Sequence, residues 1–165
     1  KHIDYLIQEV LNYTRQSNPN YVRLNIREKF ENLIEYLKPI LKSKQIKIIN
    51  RIDDCNILAD SQKIHSLFLT LIENSVESID KNGIIELTAE PKADSNFVNI
   101  FVKDSGAGFD NPEFVFKPFY TTKSSGTGMG LAIAKNIVED HHGKIELESA
   151  EPNNTIFKVS LPLAK

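Results

Sequence analysis

The sequence predicts an α+β fold, in which a sheet of about five strands is covered on one face by about three helices. Three long segments, at 26–42, 61–79 and 131–141, repeat apolar residues at spacings of three and four, which is typical of helices packed on one side. Shorter apolar or alternating segments lie between and after them, as strands do. With 165 residues and 41% hydrophobic content, the chain is long enough to bury one core.

Composition narrows the class of protein. The formal net charge of −2 leaves no basic excess for a nucleic-acid partner. No apolar run reaches the roughly 18 residues of a membrane span, and no signal-peptide pattern opens the chain. The one cysteine, Cys55, excludes an intramolecular disulfide and fits a reducing compartment. We therefore expect a cytoplasmic domain without nucleic-acid or membrane contact.

Two helices are predicted before the first strand. Residues 1–16 carry a narrow apolar stripe of the kind found in bundles and coiled coils, and residues 16–20 break it. A second helix is predicted at 26–42, but Pro39 lies inside it and is expected to kink it or end it early, because proline removes a helical hydrogen bond. The first stripe is Ile3, Leu6, Val10 and Tyr13, and the inward face of the second helix is Phe30, Leu33, Ile34, Leu37 and Leu41.

Two short strands, at 46–52 and 57–59, precede the longest helix, 61–79, which Asp60 is placed to cap. One side of this helix is mostly apolar and another is polar. The first side consists of Ile64, Phe68, Leu71, Ser75 and Ile79, and the polar side of Lys63, Thr70, Asn74, Glu77, Ser78 and Lys81.

Asn74 lies in the middle of this helix, where asparagine has poor propensity. Thr70 and Glu77 share its face, so three oxygen-bearing side chains are expected to converge. Mg²⁺ takes oxygen ligands, keeps several waters and bridges phosphates, and the Asn74 amide oxygen suits that role. A solvated polar face is the commoner explanation for an isolated asparagine. The glycines downstream make the metal site the preferred interpretation.

Residues 104–131 have the layout of a nucleotide site. Asp104 ends a predicted strand, where its carboxylate is free to accept from an exocyclic amine such as that of adenine. Gly106 and Gly108 follow, and the absence of a Cβ lets a flat ligand approach their backbone. The other strands are predicted at 84–90, 97–103, 144–149 and 155–161, and Gly143 is expected to cap the helix at 131–141.

Gly126, Gly128 and Gly130 precede this helix, whose unpaired N–H groups and positive dipole end favour a phosphate. Hydroxyl groups and one positive charge just upstream would complete a polyphosphate cradle under a mobile lid. They belong to Thr121, Thr122, Lys123, Ser124 and Ser125. The spacing matches neither the P-loop nor the dinucleotide GxGxxG. Taken alone, the glycines are better explained as loop punctuation, and only their neighbours favour the cradle.

Several motifs stand in order along the chain: LTLIENSVES, DSGAG, FKPFYTTK, GTGMGLAIAKNIVEDHHG and TIFKVSLP. In this order they resemble the ATP-binding catalytic domain of two-component sensor histidine kinases, which has the Bergerat fold shared with Hsp90 chaperones, type II topoisomerases and MutL repair proteins. The short lid is similar to that of the nitrogen-regulatory and oxygen-sensing kinases. The resemblance spans essentially the whole chain and implies a two-layer sandwich with a mixed five-stranded sheet.

The resemblance also implies roles for the matching residues. Asn74 would ligate Mg²⁺ and, with Lys123, act in catalysis. Asp104 would read the adenine amine, supported by Thr155 through water. The other residues expected to contact ATP are Glu77, Gly106, Gly108, Phe116, Lys117, Phe119, Tyr120, Thr121, Thr122, Gly126, Thr127, Gly128, Met129, Gly130 and Leu131.

The chain departs from the family pattern at Thr70, where relatives often carry Asn or Glu. Glu73 is a poor substitute, because it points about 100° away from Asn74 round the helix. We therefore expect no hydrolytic ATPase. The helix at 131–141 ends in His141-His142-Gly143, where His-Gly-Gly is usual, and we expect this change to matter little.

The resemblance divides the chain into residues 1–20, similar to the end of a dimerisation hairpin, and 21–165, the catalytic domain. In such kinases the phosphoacceptor histidine is followed by an acid and then Asn-Pro. None of the four histidines fits, and each is interpreted as a surface or helix-end residue; they are His2, His65, His141 and His142. The expected function is transfer of the ATP γ-phosphoryl group to a histidine of the dimerisation domain, absent from these residues, and onward to a response regulator receiver domain. The full protein is expected to be a homodimer.

Two other functions remain open at this point. One is an ATP-responsive interaction module in which no phosphate moves. The other is a serine kinase of the anti-sigma-factor type on the same fold. The helix predicted at 1–16 favours the histidine kinase, because the anti-sigma type lacks it.

Overall fold

The computed structural model describes residues 2–14, 18–93 and 95–164. In these residues it contains four α-helices: α1 (His2–Thr14), α2 (Ile26–Ser43), α3 (Ser61–Ser78) and α4 (Gly130–Asp140). The strands are β1 (Tyr21–Asn25), β2 (Lys47–Asn50), β3 (Asn56–Asp60), β4 (Ile84–Pro91), β5 (Phe97–Asp104), β6 (Lys144–Glu151) and β7 (Asn154–Pro162). A 3₁₀ turn, Pro112–Phe114, lies in the long segment between β5 and α4.

Five strands form one mixed sheet in the order β2-β4-β5-β7-β6. β2 and β4 run parallel, whereas the other neighbours are antiparallel. Alternate residues of each strand join a core that α2, α3 and α4 complete; in β5 these are Val98, Ile100 and Val102. The prediction of a two-layer α+β fold with a mixed five-stranded sheet is confirmed. No helix in the described part of the chain is both long and apolar enough to cross a membrane.

A second, two-stranded sheet was not expected from the sequence. β1 pairs antiparallel with β3, so that Leu24 lies opposite Ile57. Asn25 both ends β1 and caps α2, since its side chain accepts a hydrogen bond from the Glu28 N–H at 3.2 Å. A five-residue strand that adjoins a helix without a turn carries too little periodicity to be recognised. The strand predicted at 57–59 therefore pairs outside the main sheet.

α2 continues past Pro39, so of the two effects expected of this proline the early end is wrong and the kink stays a prediction. Proline frees the Glu35 carbonyl, but both residues are exposed and water can satisfy it. The helix instead ends at a turn in which Gln45 has a φ of 57° and the Ile46 N–H donates to the Leu41 carbonyl at 2.8 Å.

α1 packs only lightly on α4. The Tyr13 carbonyl accepts a hydrogen bond from Asn136 Nδ2 at 3.5 Å, and Val10 and Tyr13 are half-buried. Three apolar residues at helical spacing are exposed: Ile3, Ile7 and Leu11. Ile3 belongs to the predicted apolar stripe but is exposed. A stripe of this kind is buried only where a partner helix packs against it. The side chain of Leu6 and residues 15–17, with the predicted helix end, lie outside the described residues.

α4 ends in a Schellman turn in which His142 takes the left-handed conformation, with a φ of 56°. The His142 N–H donates to the Glu139 carbonyl and the Gly143 N–H to the Val138 carbonyl, each at 2.9 Å. The expected glycine cap is therefore wrong by one position. A residue with a Cβ pays about 1–2 kcal/mol in this conformation.

Replacing His142 with glycine is expected to raise the free energy of unfolding by about 0.5–1 kcal/mol, because glycine adopts positive φ freely but also gains freedom in the unfolded chain. Urea denaturation measures the change. His142→Ala is the matched control, since it removes the imidazole and keeps the Cβ. A glycine variant no more stable than the alanine variant would contradict the strain assigned to this turn.

His141 ends α4, as predicted, but it is buried, with 1% of its surface exposed. Its Nε2 accepts a hydrogen bond from the Asp60 N–H at 3.0 Å, and its Nδ1 lies 2.6 Å from the Ile137 carbonyl oxygen. The ring is therefore neutral, with its proton on Nδ1. Burial lowers the pKa of His141, which keeps it so. The side chain ties the end of α4 to the start of α3.

Candidate functional site

A cavity of about 250 Å³ lies between α3 and the lid segment, residues 105–129, which connects β5 to α4. Glu77 belongs to its α3 side, and Gly130 and Leu131 to its α4 side. The lid residues that line it are Phe109, Val115, Tyr120, Thr121, Thr122, Lys123, Ser125, Gly126, Thr127 and Gly128. The structure thus brings most of the predicted phosphate cradle together around one cavity.

Lys123 joins the lid segment to α3. Its Nζ donates to Asn74 Oδ1 at 3.1 Å and forms an ion pair with the Glu77 carboxylate. The Asn74 amide nitrogen donates to the Thr70 carbonyl at 2.9 Å, which leaves the amide oxygen for the lysine. Of the three side chains expected to converge, Asn74 and Glu77 do so, whereas Thr70 contributes its backbone carbonyl.

Asn74 and Glu77 form a cation site, since they hold the ammonium group of Lys123. An amide oxygen and a carboxylate are also ligands that Mg²⁺ accepts, with phosphates and waters completing its octahedron. In residues 2–14, 18–93 and 95–164, no group of three or more His, Cys, Asp or Glu side chains is arranged to hold a metal. The donor set fits a magnesium ion that a nucleotide helps to bind.

Asp104 is 3% exposed at the end of β5. Its Oδ2 accepts from the Ser75 hydroxyl at 2.7 Å, and its Oδ1 accepts from the Gly106 N–H at 2.8 Å, with Ser78 Oγ 3.4 Å away. Burial raises the pKa of Asp104, and these donors act in the opposite direction. A carboxylate has about four acceptor positions, so at least one remains for a ligand amine.

Thr155 lies opposite Asp104 on β7 and is 2% exposed. Its hydroxyl is close enough to help lower the pKa of Asp104, but it makes no well-formed hydrogen bond to any described residue. An unsatisfied buried hydroxyl costs about 1–3 kcal/mol unless water or a ligand pairs with it. This orphaned group fits the predicted adenine end of a nucleotide site, where water would link the two side chains.

At two positions around the site, the surrounding atoms leave no room for a side chain. A Cβ at Gly106 would overlap the Ser78 hydroxyl and lie 2.8 Å from the Asp104 carboxylate. Gly128 has a φ of 73°, and a Cβ there would overlap the Phe119 backbone. These contacts explain why both positions are glycine, independently of the predicted approach of a ligand.

The first turn of α4 borders the cavity. The cap residue, Met129, has no side-chain cap, and its N–H donates to Thr127 Oγ1 at 3.3 Å. The first N–H groups of a helix lack partners and carry partial positive charge. An anion in the cavity would be stabilised by them, as predicted from the sequence.

Several predicted site residues do not line this cavity. Phe116 packs edge-on against Phe157, and Lys117 Nζ lies 4.3 Å from the centre of the Phe114 ring. Phe119 is 62% exposed, with a φ of 65°. The other predicted site residues that do not line the cavity are Asn74, Asp104, Gly106, Gly108, Met129 and Thr155. The ligand contacts assigned to these residues stay predictions.

Sequence reasoning missed Phe109 and Val115, which line the cavity, and the two serines that face Asp104. Phe109 directly follows the glycine pair, and that position could have indicated it. Nothing local indicates the serines, because their partner lies 29 and 26 residues further along the chain. Neither Glu73 nor Asn74 lines the cavity, so the predicted direction of Glu73 on α3 stays a prediction.

The sequence is similar to known proteins along its whole length. Residues 59–165 match the family described as histidine kinase-, DNA gyrase B- and HSP90-like ATPase. The sensor histidine kinase ZraS of Klebsiella oxytoca is 29% identical over 165 residues, which cover 98% of this chain and 36% of ZraS. The chain spans about a third of the length of the curated relatives it matches in this way.

Solved structures resemble the fold as well. The catalytic domain of histidine kinase ThkA superposes with a TM-score of 0.78 and 30% sequence identity, covering 87% of this chain and 95% of that domain. ThkA in complex with response regulator protein TrrA gives a TM-score of 0.82 and 26% identity, covering 98% of this chain and 47% of ThkA.

Proposed function

Because the chain belongs to the family of histidine kinase-, DNA gyrase B- and HSP90-like ATPases, and within it to the histidine kinases, we propose that it binds ATP with Mg²⁺ and offers the γ-phosphoryl group to a histidine of another domain. The observation that carries this proposal is the cavity bounded by Glu77, Lys123 and the first turn of α4. It has Glu77, which belongs to the cation site, on one side and the N-terminal end of a helix, which favours anions, on another.

The adenine amine would donate to Asp104, and a water bound by Thr155 would contact the ring. This assignment is supported by the acceptor capacity left on the Asp104 carboxylate and by the unpaired Thr155 hydroxyl. The triphosphate would lie along the cavity toward Gly130, where the free N–H groups of α4 are available.

Asn74 would hold Mg²⁺ through its amide oxygen, and Glu77 would add a carboxylate nearby. The ion, when bound, neutralises phosphate charge and bridges phosphate oxygens. Lys123 occupies this cation site in the structure, so it would exchange Asn74 and Glu77 for phosphate oxygens when the nucleotide enters. The lid segment would move with it.

Catalysis would consist of positioning and charge neutralisation. The bond between the γ-phosphorus and the β–γ bridging oxygen breaks, a bond to the acceptor imidazole nitrogen forms, and ADP leaves. The imidazole proton would pass to a base beside the acceptor. Lys123 would stabilise the charge that spreads over the phosphate oxygens in the transition state.

The acceptor would lie outside these 165 residues. His141 is excluded, because it is buried and both ring nitrogens are engaged. We propose that residues 1–20 continue a dimerisation domain that carries the acceptor, in a homodimeric protein whose catalytic domain lies in the cytoplasm. The complex of ThkA with TrrA supports a response regulator receiver domain as the next phosphate acceptor.

Radiolabelled Mg–ATP tests this function. We expect the chain alone to bind nucleotide without stable labelling, and the helical hairpin of the same kinase, added separately, to become labelled with an acid-labile, alkali-stable phosphate. Stable labelling of the chain alone would contradict the proposal. An acid-stable label on another protein would favour a serine kinase, and nucleotide binding without any transfer would favour an interaction module.

A further inference from the structure

Asp104 depends on α3 for its hydrogen bonds. The Ser75 hydroxyl donates to Oδ2 at 2.7 Å, and both residues are almost fully buried, at 1% and 3% exposure. Ser78 is the weaker donor, because its hydroxyl lies 3.4 Å from Oδ1 but 3.0 Å from the Ser75 carbonyl oxygen. A hydroxyl has one proton, so Ser75 is the main side-chain donor to this carboxylate.

A buried carboxylate needs compensation to stay charged. Asp104 makes no ion pair with any described residue, and burial alone would favour its neutral form. The Ser75 hydroxyl and the Gly106 N–H are the two short hydrogen bonds that compensate, one on each oxygen. Hydrogen bonds to the charged form also fix the orientation of the carboxylate.

The charge of Asp104 decides which purine it can accept. A charged carboxylate accepts a hydrogen bond from an exocyclic amine, whereas a 6-oxo group presents a second acceptor and is repelled. A neutral carboxyl group can donate to a 6-oxo group, and discrimination between the two purines is then lost. Polar groups that pair only with the correct ligand give the largest specificity.

We propose that Ser75 is a positioning and specificity-determining residue, whose hydroxyl holds Asp104 charged and oriented so that the site prefers a 6-amino purine over a 6-oxo purine. This role rests on the proposed function, in which Asp104 meets the base. Ser75 acts through Asp104 and touches no reacting atom. A residue that only filled space in α3 would affect both purines alike.

The test compares the wild-type chain with Ser75→Ala, using calorimetric titrations of Mg–ATP and Mg–ITP from neutral into acid pH. Alanine suits a buried helical position, so the variant should fold, which circular dichroism checks. We expect ATP affinity to fall about tenfold at neutral pH and the ATP preference over ITP to shrink about tenfold. The acid limb of ATP binding should move up by about one pH unit, because Asp104 with one donor fewer is protonated more easily.

Ser78→Ala is the matched control. It should change the ATP affinity and the preference for ATP over ITP less than about threefold, and move the acid limb by less than about half a pH unit, because the hydrogen bond from Ser78 to Asp104 is long. Equal loss of ATP and ITP affinity with an unmoved acid limb would overturn the proposal and leave Ser75 a packing role. Unchanged binding by Ser75→Ala would overturn it too. A wild-type chain that binds neither nucleotide would instead refute the proposed function, and this role with it.

Discussion

Asp104→Asn is expected to lower the affinity for ATP by at least about 100-fold, because a lost hydrogen bond to a charged group and an unpaired buried donor each cost about 1–3 kcal/mol. Aspartate offers two oxygens, which serve Ser75, the Gly106 N–H and a ligand amine. Asparagine offers one oxygen, and its amide group turns two hydrogens toward the Gly106 N–H or toward the ligand. Displacement of a fluorescent nucleotide by ATP measures the loss.

The same substitution should not unfold the chain. Burial raises the pKa of Asp104 in the folded state, so folding favours the protonated form. The fold therefore loses stability as the pH rises from the ordinary pKa of an aspartate through the raised pKa of Asp104. A neutral asparagine therefore removes no stabilising charge. Asp110→Asn, an exposed carboxylate of the lid segment, is the matched control and should leave ATP affinity unchanged. An Asp104→Asn chain that binds ATP within about threefold of wild type would contradict the assigned role.

Asn74→Ala is expected to abolish the gain in nucleotide affinity that Mg²⁺ provides and to slow phosphoryl transfer to an added hairpin by at least about 100-fold. Asn74 Oδ1 already holds one cation, the Lys123 ammonium, and alanine removes that oxygen. Glu77 alone leaves a poorer site, since Mg²⁺ demands near-ideal geometry. The measurement is ATP affinity with magnesium and with a chelator, followed by transfer rates.

Asn32→Ala is the matched control, because Asn32 is exposed on α2 and lies far along the chain from the cavity residues. It should keep the full magnesium dependence. If Asn74→Ala retains the same ratio of affinities with and without magnesium as the control, Asn74 does not bind the ion. If Asn74→Ala loses the same affinity with magnesium as with the chelator, Asn74 contributes to the folding of α3 and does not bind the ion.

The large elements could be predicted because their patterns are local. α3 and α4 repeat apolar residues along one side, Asp60 caps α3 as expected, and β4 to β7 alternate toward one core. β1 has no such local pattern, since it is five residues long and runs straight into α2. Pro39 did not end α2 early, because the carbonyl that it frees belongs to Glu35, an exposed residue, where water can pair with it.

The residues around the cavity could be predicted to lie together where they form motifs. The cavity contains the threonines, lysine and glycines that the sequence placed before α4, and Asn74 meets the lid through Lys123. The sequence could not reveal that Ser75 supports Asp104, because Ser75 reaches it only through packing of α3 against β5. Thr155, opposite Asp104 on β7, was indicated by the resemblance. The burial of His141 at the end of α4 could not be predicted either, since its hydrogen-bond partner, the Asp60 N–H, lies 81 residues earlier.

The central claim is that a nucleotide binds between α3 and the lid segment. Backbone amide shifts of the isotope-labelled chain, followed during titration with Mg–ATP, test it most directly. We predict saturable changes concentrated at residues 74–78, 104–109 and 121–131. An absence of saturable change, or changes concentrated instead on α1 and α2, would contradict the account.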